Sequence, residues 1–241
     1  MCSLFSLGYS NKSIDDLKKI VKDNGIDCLV DVRSTPYSKQ FAEFNRENLK
    51  AELNECRVKY LFFGKEFGAR REEDNVYSTV VDFNGEEKCV VDFLKVHSCE
   101  EFLNGVKRVE DGIKKGYRIC FMCSEKRPYD CHRAIMVSDW FHKHGHEIKH
   151  LIDDKEQITH SEMLKLTLFK EYFLKCKKSF YDKYNDVIAY DGVVDLFTGK
   201  TKSAPQFVSW WDSFFKEYNI EKAMVLLNLK IGYKKGDLIN D

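Results

Sequence analysis

The segment 117–146 contains the side chains that are best suited to chemistry in this chain. It holds three of the nine cysteines, and Cys131, His132 and Arg133 follow one another within it. An apolar run that ends at Cys123 predicts a buried strand, and the helical spacing of apolar residues after a polar turn predicts a helix. The Cys-His-Arg run is therefore predicted in the first helical turn, where free N–H groups and the helix dipole favour anions and lower thiol pKa values.

Cys123 and Cys131 predict a site of thiol chemistry. Cys131, with Arg133 beside it and Arg33 expected nearby, has the surroundings that activate a nucleophilic cysteine. Cys123 ends the preceding strand, which would place it within reach of a reversible disulfide with Cys131. The alternative is that both thiols are half-buried and only pack the turn against the sheet.

Arginine and hydroxyl side chains near these thiols predict an anion site. Arg33 and Arg133 can each fork onto a phosphate group, with His132 and Glu125 as acid and base. The other side chains assigned to the same site are those of Ser10, Ser34, Ser124, Asp31 and Arg70. The sequence leaves open the alternative of a buried ion network, in which these arginines and carboxylates only neutralise one another.

A zinc site is a third interpretation of this segment, since Cys120, Cys123, Cys131 and His132 are all of ligand type. Residues three apart on a strand point to opposite faces, so Cys120 and Cys123 would not share one ion. Adjacent residues on a helix point about 100° apart, which makes Cys131 and His132 a poor chelating pair. We therefore predict no metal and no cofactor, and we assign Cys120 to the core.

Charge and composition exclude several classes of protein. The 39 basic and 39 acidic residues cancel, so no overall field would draw the chain onto DNA, RNA or an anionic membrane. The apolar content of 43% can fill a core, yet no stretch is long enough to span a membrane. The first ten residues lack the basic and apolar regions of a signal peptide. These features predict a cytoplasmic protein whose cysteines stay reduced.

Strands and helices alternate along the first 154 residues. Apolar runs predict strands at 3–7, 28–32, 58–62, 117–123 and 147–152. Capping boxes predict helix starts at Ser13, Ser98 and Thr159, the segment 64–76 is a charged loop, and 77–96 is ambiguous between a strand pair and a helix. The sequence predicts a three-layer α/β domain over 1–154 with a mostly parallel central sheet, and a mainly helical C-terminal extension over 155–241.

Three predicted turns should meet at one edge of this sheet. The turns at 8–10, 31–35 and 123–133 each follow the carboxyl end of a strand. In a parallel sheet these ends share one edge, where ligands of doubly wound folds bind. The candidate site depends on this convergence.

The same turns carry a resemblance to a known family. Their motifs are Gly8-Tyr9-Ser10, Asp31-Val32-Arg33-Ser34 followed by Pro36, and Cys123-x-Glu125 with Cys131-His132-Arg133. Over about residues 1–155 the sequence resembles the domain-of-unknown-function family numbered 488. A weaker element, leucine, two glycines and arginine in the family, is present here as Phe67-Gly68-Ala69-Arg70.

The resemblance implies a cytosolic α/β fold with a cluster of side chains at the strand ends. Cys123 and Cys131 match the family motif, whereas Cys120 does not. It implies no reaction, because the activity of the family is not established. Ala69 in place of the second glycine implies a different path for that loop, and the segment after about Asp186 lies outside the resemblance.

The site residues together predict an enzyme of hydrolase type that acts on a phosphorylated ligand, a nucleotide or a nucleic-acid end. Arg33 and Arg133 would hold the phosphate, His132 and Glu125 would move protons, and the two cysteines would form a thiol pair. Two alternatives remain: a non-catalytic module that binds an anion or a nucleic acid, and a thiol redox sensor.

Histidines and aromatic residues later in the chain are predicted to have structural rather than chemical roles. The five histidines at positions 142, 144, 146, 150 and 160 are predicted at the surface rather than in a metal site. A helix from Thr159 is predicted to continue to about Tyr184. Trp210 and Trp211, on a further helix from about Pro205, predict a face that closes over the sheet or contacts a second copy of the chain in a homodimer.

Overall fold

The structure, a computed structural model, describes residues 4–10, 12–81, 87–153, 156–167, 224, 227–228 and 231–234. The chain divides into two compact units, Met1–Met163 with Leu227–Asp241, and Leu164–Leu226. Of the second unit the structure describes only 164–167 and 224. The helix predicted to run on to Tyr184 lies outside the described residues beyond 167, as do Trp210 and Trp211.

Strands and helices alternate through most of the first unit. The strands are β1 (Leu4–Gly8), β2 (Cys28–Asp31), β3 (Lys59–Phe62), β4 (Tyr77–Val81), β5 (Glu87–Val91), β6 (Ile119–Cys123), β7 (Ile148–Leu151) and β8 (Gln157–Thr159). The helices are α1 (Ile14–Asp23), α2 (Arg46–Glu55), α3 (Gly64–Phe67), α4 (Phe93–Val96), α5 (Glu100–Lys114), α6 (Asp139–Lys143) and α7 (His160–Thr167). Short 3₁₀ turns lie at Ala42–Phe44, Asp74–Val76 and Pro128–Asp130, and a π-helical segment at Arg133–Ser138. Within these described ranges, no helix is long and apolar enough to cross a membrane.

Six strands form one sheet in the order β3-β2-β6-β1-β7-β8, in which all neighbours are parallel except β7 and β8. The predicted α/β fold with a mostly parallel sheet is confirmed, and β8 is a strand that the sequence does not predict. β4 and β5 pair separately and antiparallel, which settles most of the ambiguous segment 77–96. The register places Gly8 beside Cys123 and Asp31 beside Met122, so three strands end nearly level.

Helices cover both faces of the sheet. On one face, residues of α1 and α2 share a core cluster with strand residues, among them Leu17, Leu49, Phe5, Cys120 and Met122. On the other face, the Phe121 ring of β6 contacts Phe67 of α3 and stacks on Phe141 of α6. Cys120 therefore lies in the core as predicted, and the alternation along β6 directs Cys123 to the other face.

Two of the three predicted capping boxes are present. The Ser13 and Thr159 hydroxyls each accept a hydrogen bond from the backbone N–H three residues later. The prediction for Ser98 is wrong, because its hydroxyl donates to the Lys95 carbonyl of α4 and α5 begins after Cys99. Ser98 thus belongs to the end of one helix rather than to the start of the next.

The segment after β6 differs from the predicted single helix. Pro128 opens a 3₁₀ turn, and Cys131 follows in an extended conformation with φ −142° and ψ 138°. Cys131 therefore lies before the helix rather than in its first turn, which corrects the prediction. The helix starts at His132, passes through the π-helical segment into α6, and ends near Gly145, whose φ of 88° suits a glycine stop.

Candidate functional site

The three turns meet at the carboxyl edge of the sheet, as the sequence predicts. The Tyr9 N–H donates to the Cys123 carbonyl at 3.1 Å and the Ser10 N–H donates to the Ser124 carbonyl at 2.8 Å, so the loops after β1 and β6 stay paired beyond the strands. A Cβ atom on Gly8 would lie 1.7 Å from the Glu125 carbonyl oxygen, so only glycine allows this close approach.

A cavity of about 430 Å³ opens at this edge. The predicted site residues that line it are Ser10, Arg33, Ser34, Arg70, Cys123, Ser124, Glu125 and His132. Asp31, Cys131 and Arg133 are buried, with exposed fractions of 0%, 1% and 1%, and they are not among the residues that line the cavity. The volume falls in the range of ordinary small-molecule sites.

Two sulfur atoms, an imidazole and a carboxylate form a cluster at the cavity floor. The Cys131 thiol donates to Glu125 Oε2 at 2.9 Å, and His132 Nδ1 lies 3.9 Å from the sulfur atoms of both Cys123 and Cys131. His132 Nε2 lies 2.9 Å from the Val32 carbonyl oxygen, which can only accept. The proton of a neutral ring therefore sits on Nε2, and the lone pair of Nδ1 faces the two sulfur atoms.

The charges of the cluster stabilise one another. Burial opposes ionisation of Cys131, but a hydrogen bond from Cys123 and the charges of Arg133 and His132 lower its pKa to about 6. Burial and the neighbouring Cys131 raise the pKa of Cys123. Despite its burial, Glu125 has a pKa lowered to about 2 by His132 and by the two thiols. Cys131 is thus the more readily ionised of the two thiols.

Arg33 makes a buried ion pair beside the cluster. Its Nε and one terminal nitrogen donate to the two carboxylate oxygens of Asp31 at 2.9 and 2.6 Å. Further hydrogen bonds join the guanidinium to the Tyr9 hydroxyl and to the Phe44 carbonyl, and the Tyr60 hydroxyl donates to Asp31 at 2.7 Å. The edge of the guanidinium that could fork onto phosphate is therefore occupied by Asp31, which favours the network interpretation for this arginine.

Arg133 supports the loop behind the cavity. Its guanidinium donates to the backbone carbonyls of Glu125 and Lys126 at 2.6 and 3.1 Å, and to the Ser6 hydroxyl at 3.4 Å. These contacts place the Glu125 loop, and they leave a positive charge beneath it. Direct binding of a phosphate by Arg133 remains a prediction.

Arg70 and Arg71, in the middle of the predicted charged loop 64–76, have different surroundings. Part of that loop is in fact regular, since it begins with α3 and ends in a 3₁₀ turn. Arg70 lines the cavity, with its guanidinium 5.2 Å from the centre of the Tyr233 ring, and its backbone N–H donates to the Ser34 hydroxyl at 3.0 Å. Arg71 is only 2% exposed and donates to the Lys65 carbonyl at 2.9 Å.

The geometry of Cys131 and His132 differs from the one predicted. The sequence predicts them as consecutive helical residues with side chains about 100° apart. Cys131 is extended, however, and its sulfur atom lies 3.9 Å from His132 Nδ1. The potential ligand atoms of Cys123, Cys131 and His132 all lie within 4.8 Å of one another.

Two histidines that the sequence predicts at the surface are buried. His150 and His160 are each 1% exposed, and their rings are joined from Nε2 to Nδ1 at 3.0 Å. His150 Nδ1 lies 2.7 Å from the Ser6 hydroxyl, and His160 Nε2 lies 3.6 Å from an Asp139 carboxylate oxygen. Burial lowers the pKa of both histidines, so the buried pair of His150 and His160 is neutral at neutral pH.

The comparison with protein families adds one finding. A family model described as "Domain of unknown function DUF488" matches residues 13–140, more than half of the 241-residue chain. The chain belongs to this family. The matched range contains every predicted site residue except Ser10. Comparison with curated proteins and with solved structures gave no match.

The sequence does not predict three tyrosines that line or support the candidate site. Tyr9 and Tyr60 bind the Arg33–Asp31 pair, and Tyr233 packs on Arg70 at the cavity wall. Tyr9 lies inside the Gly-x-Ser motif, so its position was a usable signal. Tyr233 lies far outside the family match, and the residues next to it in the sequence do not indicate a site residue.

Proposed function

We propose that this protein is an enzyme that acts on a phosphorylated ligand, a nucleotide or a nucleic-acid end, bound in the cavity at the strand ends. One observation carries the proposal: Cys123, Glu125 and His132 line the same cavity as Arg70 and Ser10. A carboxylate, an imidazole and a thiol that face a cationic, hydroxyl-bearing wall can bind an anion and react with it.

The contacts divide the proposed roles among the side chains. Arg70 and the Ser10 and Ser34 hydroxyls bind the phosphate from the cavity wall, while the buried arginines hold the loops and contribute positive charge. His132 and Glu125 move protons at the reacting centre. Glu125 is held in position by the Ser124 hydroxyl and the Cys131 thiol, which donate to its two oxygens at 2.9 Å each.

The proposal is tested by turnover. The full chain is incubated with nucleoside mono-, di- and triphosphates and with oligonucleotides that bear a 5′- or 3′-phosphate, and products are read by mass spectrometry. Glu125→Gln should lower kcat by roughly 10²–10⁴-fold with little change in Tm, whereas Glu43→Gln, which alters an exposed carboxylate, should leave kcat unchanged. Salt-dependent binding of these ligands with no product would refute the enzyme and favour the non-catalytic module.

A thiol redox sensor is the second candidate, because the Cys123 and Cys131 sulfur atoms lie within 4.8 Å of each other. Mild peroxide should then form a Cys123–Cys131 disulfide that dithiothreitol reverses, as shown by mass spectrometry of alkylated peptides. Free thiols at both positions after peroxide treatment would eliminate this candidate.

A further inference from the structure

We propose that Cys123, Cys131 and His132 bind a zinc ion whose fourth coordination position faces the cavity. In a tetrahedral site with ordinary zinc–sulfur and zinc–nitrogen bonds, sulfur and nitrogen ligands lie about 3.6 Å apart. His132 Nδ1 lies 3.9 Å from each sulfur atom, and all three ligand atoms fall within 4.8 Å of one another. Closing the nitrogen–sulfur distances by about 0.3 Å, and bringing the two sulfur atoms to about 3.8 Å from each other, would complete the coordination.

The second nitrogen of His132 supplies independent support. Zinc-bound histidines use one ring nitrogen for the metal and donate from the other to a carboxylate or a backbone carbonyl, which fixes the ring. His132 Nε2 donates to the carbonyl of Val32, the residue just after β2, at 2.9 Å, and this bond directs Nδ1 to the sulfur atoms. The ring is therefore already oriented as a ligand by an element that is distant in sequence.

The backbone explains why residues at this spacing can converge. Cys123 is the last residue of β6, and Cys131 is extended just before the helix that begins at His132. The intervening loop is held by Arg133, which binds its carbonyls at Glu125 and Lys126. Cys123 is 2% exposed and Cys131 is 1% exposed, so the ligand set lies inside the protein rather than on its surface.

The fourth position has a base beside it. Cys123 and His132 line the cavity, so a zinc ion between them would be open to that side, as in catalytic zinc sites with three protein ligands. Glu125 also lines the cavity, with Oε2 2.9 Å from the Cys131 sulfur atom. Two cysteines, one histidine and a non-ligating glutamate are a set that zinc hydrolases use to activate water.

A hydrolytic step follows from this arrangement, and that step rests on the function proposed above. A water molecule on zinc gives a proton to the Glu125 carboxylate, and its oxygen forms a bond to the phosphorus atom. The bond from phosphorus to the leaving oxygen breaks, and the leaving oxygen takes the proton from Glu125. No oxidant or reductant is needed, in contrast to the redox sensor.

Cobalt substitution tests the metal site in the unmodified chain. Metal-free protein titrated with Co²⁺ under reducing conditions should bind one equivalent and show thiolate-to-cobalt charge-transfer absorption, together with visible bands of tetrahedral intensity. Zn²⁺ should displace the cobalt and raise Tm by roughly 5–10 °C at free zinc about 100-fold above Kd. Cobalt bound without the thiolate band, or not bound at all, overturns the proposal.

Matched variants locate the ligands. Cys123→Ser, Cys131→Ser and His132→Gln should each weaken Co²⁺ binding by at least about 100-fold, whereas Cys120→Ala, which alters a core cysteine on the same strand, should retain the full spectrum. If a ligand variant fails to fold, the charge-transfer intensity of the unmodified chain still reports how many thiolates bind the metal. Retention of the full spectrum in all three ligand variants overturns the proposal.

Glu125→Gln separates this inference from the proposed function. It should keep one equivalent of zinc and lose turnover. Metal binding without turnover of any phosphorylated ligand leaves the metal site standing and refutes the enzyme. Turnover that persists in the unmodified chain after chelation, with no bound metal by elemental analysis, refutes a role of zinc in the reaction and leaves the enzyme, while the cobalt titration decides the metal site itself.

Discussion

Asp31→Asn is the substitution that best tests how this site is built. It removes the charge that neutralises Arg33, whose side chain is only 6% exposed, while the shape of the residue is kept. Breaking a buried ion pair from one side costs about 3–5 kcal/mol, because the remaining charge stays buried without a partner. Since Arg33 touches the cavity, where water reduces the penalty, we expect about 3 kcal/mol and a fall in Tm of roughly 6–12 °C.

Urea unfolding followed by circular dichroism measures this effect, with an unchanged m value as the sign that the native state is intact. Asp23→Asn is the matched control, because Asp23 is 57% exposed and pairs with Lys19 at the surface, so we expect a loss of at most about 0.5 kcal/mol. A loss of less than about 1 kcal/mol for Asp31→Asn would refute the buried pair and free Arg33 for a phosphate. In the double variant Asp31→Leu/Arg33→Met, part of the lost stability should return.

Three further predictions concern the frame around the site. Gly8→Ala should destabilise the protein by about 1–3 kcal/mol and lower turnover, since the added methyl meets the Glu125 carbonyl; an unchanged urea midpoint would contradict this. Because burial holds the pKa of His150 and His160 below the unfolded value, stability should be full above about pH 6.5 and fall with pH below it, by up to about 1.4 kcal/mol per unit for each histidine. His150→Gln should make the free energy of unfolding, measured with urea at pH 7, 6 and 5, depend less on pH. The same pH dependence in the variant and the unmodified chain would contradict the burial of His150 and His160. Ser13→Ala should lower the free energy of unfolding by about 1 kcal/mol in the same assay, and an unchanged value would show that the capping box does not stabilise the protein.

Local signals in the sequence predict the sheet and most helices well. The run that becomes β6 is apolar because both faces of the strand are covered, and the Ser13 box works because its partners are three residues away. Ser98 has the same local pattern but forms no capping box, because the short helix α4 ends just before it and the Ser98 hydroxyl donates to the Lys95 carbonyl of that helix. A three-residue strand such as β8 offers too few residues for a pattern.

The site was predictable as a set of residues but not as a geometry. Parallel topology brings the turns together, and this places Ser10, Arg33 and Cys123, one residue from each turn, on one cavity. The pairing of Arg33 with Asp31 depends on how a short turn folds back, which the sequence leaves open as one of two alternatives. The sequence predicts Cys131 within the helix, and a 3₁₀ turn before it leaves Cys131 extended instead, which changes the direction of its side chain relative to His132.

The π-helical segment gives the helix behind the site one residue more than it needs between His132 and Phe141. A π-helical turn holds about one residue more than an α-helical turn, and the surplus residue is accommodated within Arg133–Ser138. A one-residue deletion inside the segment would let it relax into an ordinary helix, while His132 and Phe141 keep the faces they present now. In a regular α-helix the same deletion would rotate the flanking residues by about 100° relative to each other. Because Phe141 is anchored on Phe121, that rotation would carry His132 away from the sulfur atoms. The cluster should therefore tolerate the loss of one codon inside this segment, and lose its histidine if the codon is lost from the regular helix after it.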